Sequence, residues 1–228
     1  MKEPAPHDLW LFAYGSLMWR PGFAVAETHR ARLTGYRRCF SIYSVHHRGT
    51  PERLGMVLGL DRGGVCEGIA YRVAAHEAGA IRRYLRSREL INGVYREALL
   101  PIELEQDPPT EVMALTYIVE RAHPNYAHRL PLPTQARLIK GAKGLSGANI
   151  DYLVSTVRHL RELGIREREL ERLVTMVGGL AWQRSRAQHT SPYAAAVVRA
   201  LRLRPVPVRR RARKDQHRRF LYRLRLER

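Results

Sequence analysis

Apolar and polar positions alternate in short blocks through the first half of the chain and follow a helical period in the second half. Residues 9–14 (LWLFAY) form a short apolar run closed by Gly15-Ser16, which predicts a buried strand and a turn. Residues 38–45 and 55–60 predict two further strands. The Asp-Arg-Gly-Gly at 61–64 predicts a hairpin turn, with a strand over 65–73 beyond it. A helix is expected from about His76, because Ala80, Ile81, Tyr84 and Leu85 share a face, and Asn92-Gly93 breaks it. Residues 94–104 and 112–119 predict two strands on either side of a polar loop containing Pro108-Pro109.

From Pro131 the period changes. A helix is expected to about Lys143, with an interruption at 144–147. Ile150, Leu153, Val154, Val157, Leu160 and Leu163 then mark an amphipathic helix, with Asn149 or Ser146 as its cap. Gly164 ends that helix, and a shorter one spans about 168–177 before Gly178-Gly179. Strands first and helices later predict an α+β fold, with the short, turn-separated strands closing into a small mixed β-barrel flanked by helices.

Composition narrows the classes. The 228 residues are 45% hydrophobic and 27% charged, enough apolar material for a sizeable core. No run approaches the roughly 20 apolar residues of a membrane helix, and the apolar run after the polar N-terminus is too short for a signal-peptide core. With Cys39 and Cys66 as the only cysteines, a disulfide framework and a four-cysteine zinc site are excluded, and a reducing cytoplasm is the expected compartment. The net charge of +19 is uneven: residues 182–228 carry 15 Lys or Arg against Asp215 and Glu227. This Arg-rich extension, taken as residues 180–228, is expected to attract polyanions non-specifically, and residues 9–179 to form the folded domain.

Three features carry candidate chemistry. Tyr14-Gly15-Ser16-Leu17 ends a strand in a tight turn, whose successive backbone N–H groups suit a carboxylate or an oxyanion. The same tripeptide Tyr-Gly-Ser also occurs as an ordinary turn. It is neither a phosphate loop, since no Gly-Lys-Ser/Thr follows, nor a nucleophile elbow, since Leu17-Met18 breaks the Gly-x-Ser-x-Gly pattern. Glu89 falls on the same helix face as Ile81 and Leu85, in a last turn where the helix dipole disfavours a carboxylate. Either Arg86 and Arg88 neutralise it, or the site uses a carboxylate of raised pKa. His46-His47, His123 and His128 lack metal-ligand spacing, and no metal is expected.

In order along the chain, LWLFAYGSLMW (9–19), GYRR (35–38), HRGTP (47–51), VCEGIAYRV (65–73), YLRSRELINGVY (84–95), PNY (124–126) and GLSGANIDYL (144–153) resemble the ChaC-like, glutathione-specific γ-glutamylcyclotransferases. The resemblance covers roughly residues 9–177. It implies a small mixed barrel, no cofactor, and conversion of glutathione to 5-oxoproline and cysteinylglycine. It places the catalytic glutamate on Glu89, the substrate-holding loop on Tyr14, Gly15, Ser16 and Leu17, and a pocket tyrosine on Tyr126. The alternative reading is an inactive barrel that binds nucleic acid or an anionic surface through its basic extension.

Overall fold

The computed structural model describes residues 7–178; the Arg-rich extension, and with it the polyanion expectation, lies outside them. Strand β1 (Leu9–Ala13) leads into a single 3-10 turn (Ser16–Met18). Two long strands follow, β2 (Glu27–Ser44) and β3 (Gly55–Val73), then helix α1 (Ala75–Glu89) and strands β4 (Tyr95–Leu104) and β5 (Thr110–Val119). Helix α2 (Leu132–Gly141) precedes a two-residue-per-strand hairpin, β6 (Lys143–Gly144) and β7 (Gly147–Ala148). Helices α3 (Asn149–Glu162) and α4 (Arg168–Met176) complete the described chain. The first five strands close a barrel in the order β1-β3-β2-β4-β5, with β1 antiparallel to β3 and parallel to β5. The α+β class and the flanked small barrel match the expectation from the sequence.

Closure leaves two apolar layers. Phe12, Leu33, Leu60, Cys66, Ala70, Ile102, Leu104 and Ile118 come only from strands and are all buried, so they fill the barrel interior. The opposite faces of the same strands, among them Leu11, Ala13, Leu58, Ile69 and Tyr71, pack under the helices through residues such as Leu85, Ile139, Leu153, Leu160 and Leu173. The period-two alternation of each strand thus feeds two cores at once.

Two local expectations are overturned. Residues 61–64 form no hairpin turn; β3 runs straight through them, paired with β2 from Val73's end to Gly55. Gly63 and Gly64 (φ +97° and +82°) lie opposite Gly35 (φ +85°) in a bulge, where the pairing jumps from Thr34–Val65 to Tyr36–Arg62. Positive-φ glycines serve a strand bend as readily as a turn, and here they bend a two-stranded ribbon into the barrel wall. The true β2–β3 connection is residues 45–54. In addition, neither Asn149 nor Ser146 caps α3, whose N-cap is Ala148 with no side-chain cap bond.

Asn149 instead works as a splice. Fully buried, it accepts from the Met56 N–H through Oδ1 (2.6 Å) and donates from Nδ2 to the Met56 carbonyl (2.7 Å), pinning α3 to the start of β3. Losing a cap typically costs about 1 kcal/mol. Asn149→Ala leaves both Met56 backbone groups buried and unpaired, so about 2–4 kcal/mol is expected. Denaturant unfolding of the variant distinguishes the two values.

Candidate active site

Helix α1 is held by Ile81 and Leu85, both buried, and Glu89 follows Leu85 by one turn on the same face. The helix stops at Leu90, whose N–H still reaches the Arg86 carbonyl, and Gly93 (φ +68°) reverses the chain so that β4 starts at Tyr95. The turn therefore places Glu89 and Tyr95 near one another. The Glu89 side chain keeps only 20% of its surface exposed. Burial pushes its pKa above the ordinary 4.5, and the Arg88 guanidinium, with Nε 3.0 Å from Oε1, opposes that rise.

Of the two candidate neutralising arginines, only Arg88 meets Glu89. Arg86 turns with Arg82 to Glu97, whose carboxyl they hold down at about 2 against the upward push of burial. Arg88 has further partners: its Nη2 donates to Ser16 Oγ (2.9 Å) and its Nη1 to the Arg20 carbonyl (2.7 Å) and the Tyr84 hydroxyl (3.2 Å). One guanidinium thus ties the carboxylate at the end of α1 to the segment that follows β1.

That segment is the Tyr14–Leu17 loop. The 3-10 turn satisfies its trailing donors, Met18 N–H to the Gly15 carbonyl (2.9 Å) and Arg20 N–H to the Ser16 carbonyl (2.8 Å). The leading N–H groups of Ser16 and Leu17 donate to nothing within the described residues. The loop is anchored from below by Arg38. With no exposed side-chain surface, Arg38 donates from Nε to the Tyr14 carbonyl (2.5 Å), from Nη2 to the Glu67 carbonyl (2.5 Å), and pairs through Nη1 with Glu167.

Tyr14, Tyr95 and Tyr152 border the site, and Tyr117, bonded to Glu97, also feels the Glu89 charge. The Tyr95 hydroxyl donates to the Leu58 carbonyl (2.6 Å), while the Leu58 N–H faces the Tyr152 hydroxyl (3.5 Å). Burial raises the pKa of Tyr14, Tyr95 and Tyr152, that of Tyr152 to about 12, and the charge of Glu89 adds to each. Tyr95 and Tyr152 thus meet at Leu58 beside the Glu89 turn, and the phenols stay protonated at neutral pH.

Tyr126, the remaining expected site residue, sits in a different cluster. It is buried with Ile42, Val94 and Val119 in a cluster against which Tyr95 also packs; its hydroxyl donates to Asp61 Oδ2 (2.8 Å), and Arg121 lies over its ring. None of its contacts is with Glu89. Tyr95 and Tyr152 were not singled out from sequence as site residues. For Tyr152 a signal exists in hindsight: Asn149, Tyr152, Thr156 and His159 form a second stripe on α3, and Asn149, Thr156 and His159 in it are buried.

This geometry gives a shielded carboxylate of raised pKa, unpaired backbone donors close by through Arg88, and phenols around them, an arrangement suited to moving a proton beside a developing oxyanion. The ChaC-like protein family profile matches residues 9–180. A glutathione-specific γ-glutamylcyclotransferase 1 from mouse is 32% identical over 179 residues, covering 77% of this chain and 80% of the relative. The glutathione-specific γ-glutamylcyclotransferase of Escherichia coli is 33% identical over 175 residues, covering 77% and 75%. The crystal structure of a yeast γ-glutamyl cyclotransferase specific to glutathione superposes with a TM-score of 0.67 over 81% of this chain and 99% of the yeast chain, at 20% identity, which speaks for the fold. With a profile spanning three-quarters of its length and a barrel shared with that structure, the chain belongs to the ChaC-like protein family.

Proposed function

We propose that this protein is a glutathione-specific γ-glutamylcyclotransferase, with Glu89 as its acid–base residue and the Tyr14–Leu17 loop holding the substrate. The observation that carries the site assignment is the shielded Glu89 carboxylate, fixed by Arg88 to the loop whose Ser16 and Leu17 N–H groups have no acceptor among the described residues. Family membership and the names of its relatives support the substrate.

The reaction is an intramolecular aminolysis. The nucleophile is already tethered to its electrophile, so much of the orientation entropy is supplied by the substrate itself. The α-ammonium must first lose a proton, having a reference pKa of about 8. Glu89 takes that proton and passes it to solvent; the free amine attacks the γ-carbonyl carbon, forms the ring C–N bond and gives its second proton to the Glu89 carboxylate. The tetrahedral oxyanion faces the turn N–H groups. Glu89 then returns the proton to the cysteinyl nitrogen, the old amide C–N bond breaks, and 5-oxoproline and cysteinylglycine leave. A carboxylate pKa above the free value narrows the gap to the amine and improves both transfers. Incubation of the purified protein with glutathione should yield 5-oxoproline and cysteinylglycine in equal amounts. Product at no more than the protein-free rate would reject the assignment.

The raised pKa has a visible consequence. Glu89 must be ionised to accept the first proton, so kcat falls as pH drops through its folded-state pKa, which burial places above 4.5. The acidic limb of the kcat profile should therefore lie on the neutral side of 4.5, and removing the opposing cation with Arg88→Gln should move it further up. A limb below 4.5 would mean that Arg88 outweighs burial.

A further inference from the structure

Arg48 belongs to the β2–β3 connection and is fixed there at both ends. Its backbone N–H donates to Ser44 Oγ (2.9 Å), and its Nη1 donates to the carbonyls of Ser146 and, at 3.3 Å, Ala148. The guanidinium lies 5.2 Å from the centre of the Tyr152 ring, whose hydroxyl meets the Leu58 N–H beside Tyr95. Its Nε and Nη2 have no partner among the described residues. The cation is only half exposed, and burial lowers its pKa. No carboxylate among the described residues pairs with it; Asp151 is within electrostatic reach but forms no ion pair. The other charge in reach is Arg20, exposed at the end of the Tyr14–Leu17 segment, which repels it. A partly buried guanidinium with two unused donors beside a catalytic pocket, with a second cation within electrostatic reach, is a receptor for an anion.

Resting on the proposed glutathione reading, we infer that Arg48 binds the glycyl carboxylate of the substrate, with Arg20 adding to the field. Glutathione carries two carboxylates, and distance from the chemistry separates them. The α-carboxylate is attached to the same carbon as the attacking amine, so it must lie at Glu89. The charge acting on Glu89 comes from Arg88 and not from Arg48. The glycyl carboxylate lies about two residues beyond the scissile bond, roughly 7 Å in an extended chain. Arg48 stands over the Tyr152 ring, whose hydroxyl meets Leu58 beside the Tyr95 hydroxyl at the end of the Glu89 turn, in keeping with that reach. This contact makes the enzyme read the far end of the tripeptide, a specificity that the Tyr14–Leu17 loop alone does not provide.

The test pairs a substrate change with a residue change. The substrates are glutathione and its glycine monoethyl ester, which keeps the size but loses the charge. Wild-type kcat/KM should be about ten- to a hundredfold lower for the ester, mainly through KM, the range for a charge-assisted hydrogen bond. Arg48→Gln should lose a similar factor with glutathione and lose almost nothing further with the ester; Arg48→Lys should recover part of it. Equal losses on both substrates would overturn the proposal, leaving Arg48 as a brace for residues 146–148. Equal use of the two substrates by the wild type would overturn it without any variant having to fold. Absence of glutathione turnover by the wild type would instead reject the functional reading on which it rests.

Discussion

Glu89→Gln is expected to lower 5-oxoproline formation by at least about a hundredfold, the lower end of what positioned acid–base catalysis contributes. Glutamine keeps the volume and the hydrogen-bonding outline of the side chain but cannot take the ammonium proton. The fold should tolerate the change. Burial already disfavours the charged form of Glu89, so removing that charge relieves desolvation, while Arg88 keeps Ser16, Tyr84 and the Arg20 carbonyl. The expected shift in Tm is within about 3 °C, under roughly 1 kcal/mol for a chain of this size. Retention of more than about a tenth of the wild-type rate by a folded variant would remove Glu89 from the chemistry. Full nucleic-acid binding with no turnover in the wild type would favour the inactive-barrel alternative.

Glu89 was legible from sequence because its position breaks a pattern: a carboxylate on the apolar face of a helix, in the turn least hospitable to it. The Tyr14–Leu17 turn was legible because an apolar strand ending in Gly-Ser has few other shapes. What escaped has physical reasons. Asp61-Arg62-Gly63-Gly64 has the composition of a turn, and only the 18- and 19-residue lengths of β2 and β3, set by barrel closure, make it a bulge. The N-terminal half of β2 (Glu27–Ser44) reads as polar because Arg30 and Arg32 flank Ala31 and only Ala31 and Leu33 point into the barrel. Helix α3 shows an apolar stripe, but it buries a polar one too, and polar positions carry no mark that says whether water or protein will satisfy them. Asn149 has the chemistry of a cap, but its actual partner, Met56, is 93 residues away. Arg38 and Arg48 both lie in basic motif segments, GYRR (35–38) and HRGTP (47–51), and the fold gives them opposite circumstances, one fully paired in the interior and one with donors to spare.

Arg38→Met is expected to cost about 3–5 kcal/mol, the range for breaking a buried ion pair from one side. Arg38 holds three elements at once: the Tyr14 carbonyl after β1, the Glu67 carbonyl in β3, and Glu167 between α3 and α4. Methionine fills much of the space beside Met18 but leaves two backbone acceptors and a carboxylate without their donor. A drop in Tm of about 10 °C or more follows from that loss. The signature that separates charge from packing is its pH dependence. Burial already raises the Glu167 pKa in the wild type, with Arg38 opposing the rise. Without Arg38 the folded-state pKa climbs further above the unfolded 4.5, so the variant is most stable below the unfolded value and loses stability as pH increases through the folded one. The gap between variant and wild type should therefore narrow as pH falls towards 5. It should also narrow in Arg38→Met/Glu167→Leu, where no orphan charge remains. A gap that is the same at all pH values and in the double variant would show that Arg38 matters for shape alone. The released Tyr14 carbonyl gives the same substitution a functional face, since the Ser16 and Leu17 N–H groups lie immediately beyond it. The double variant, with the orphan charge gone but the Tyr14 anchor still missing, should turn over glutathione with an impaired kcat, which tests whether the loop must be held for the oxyanion to be met.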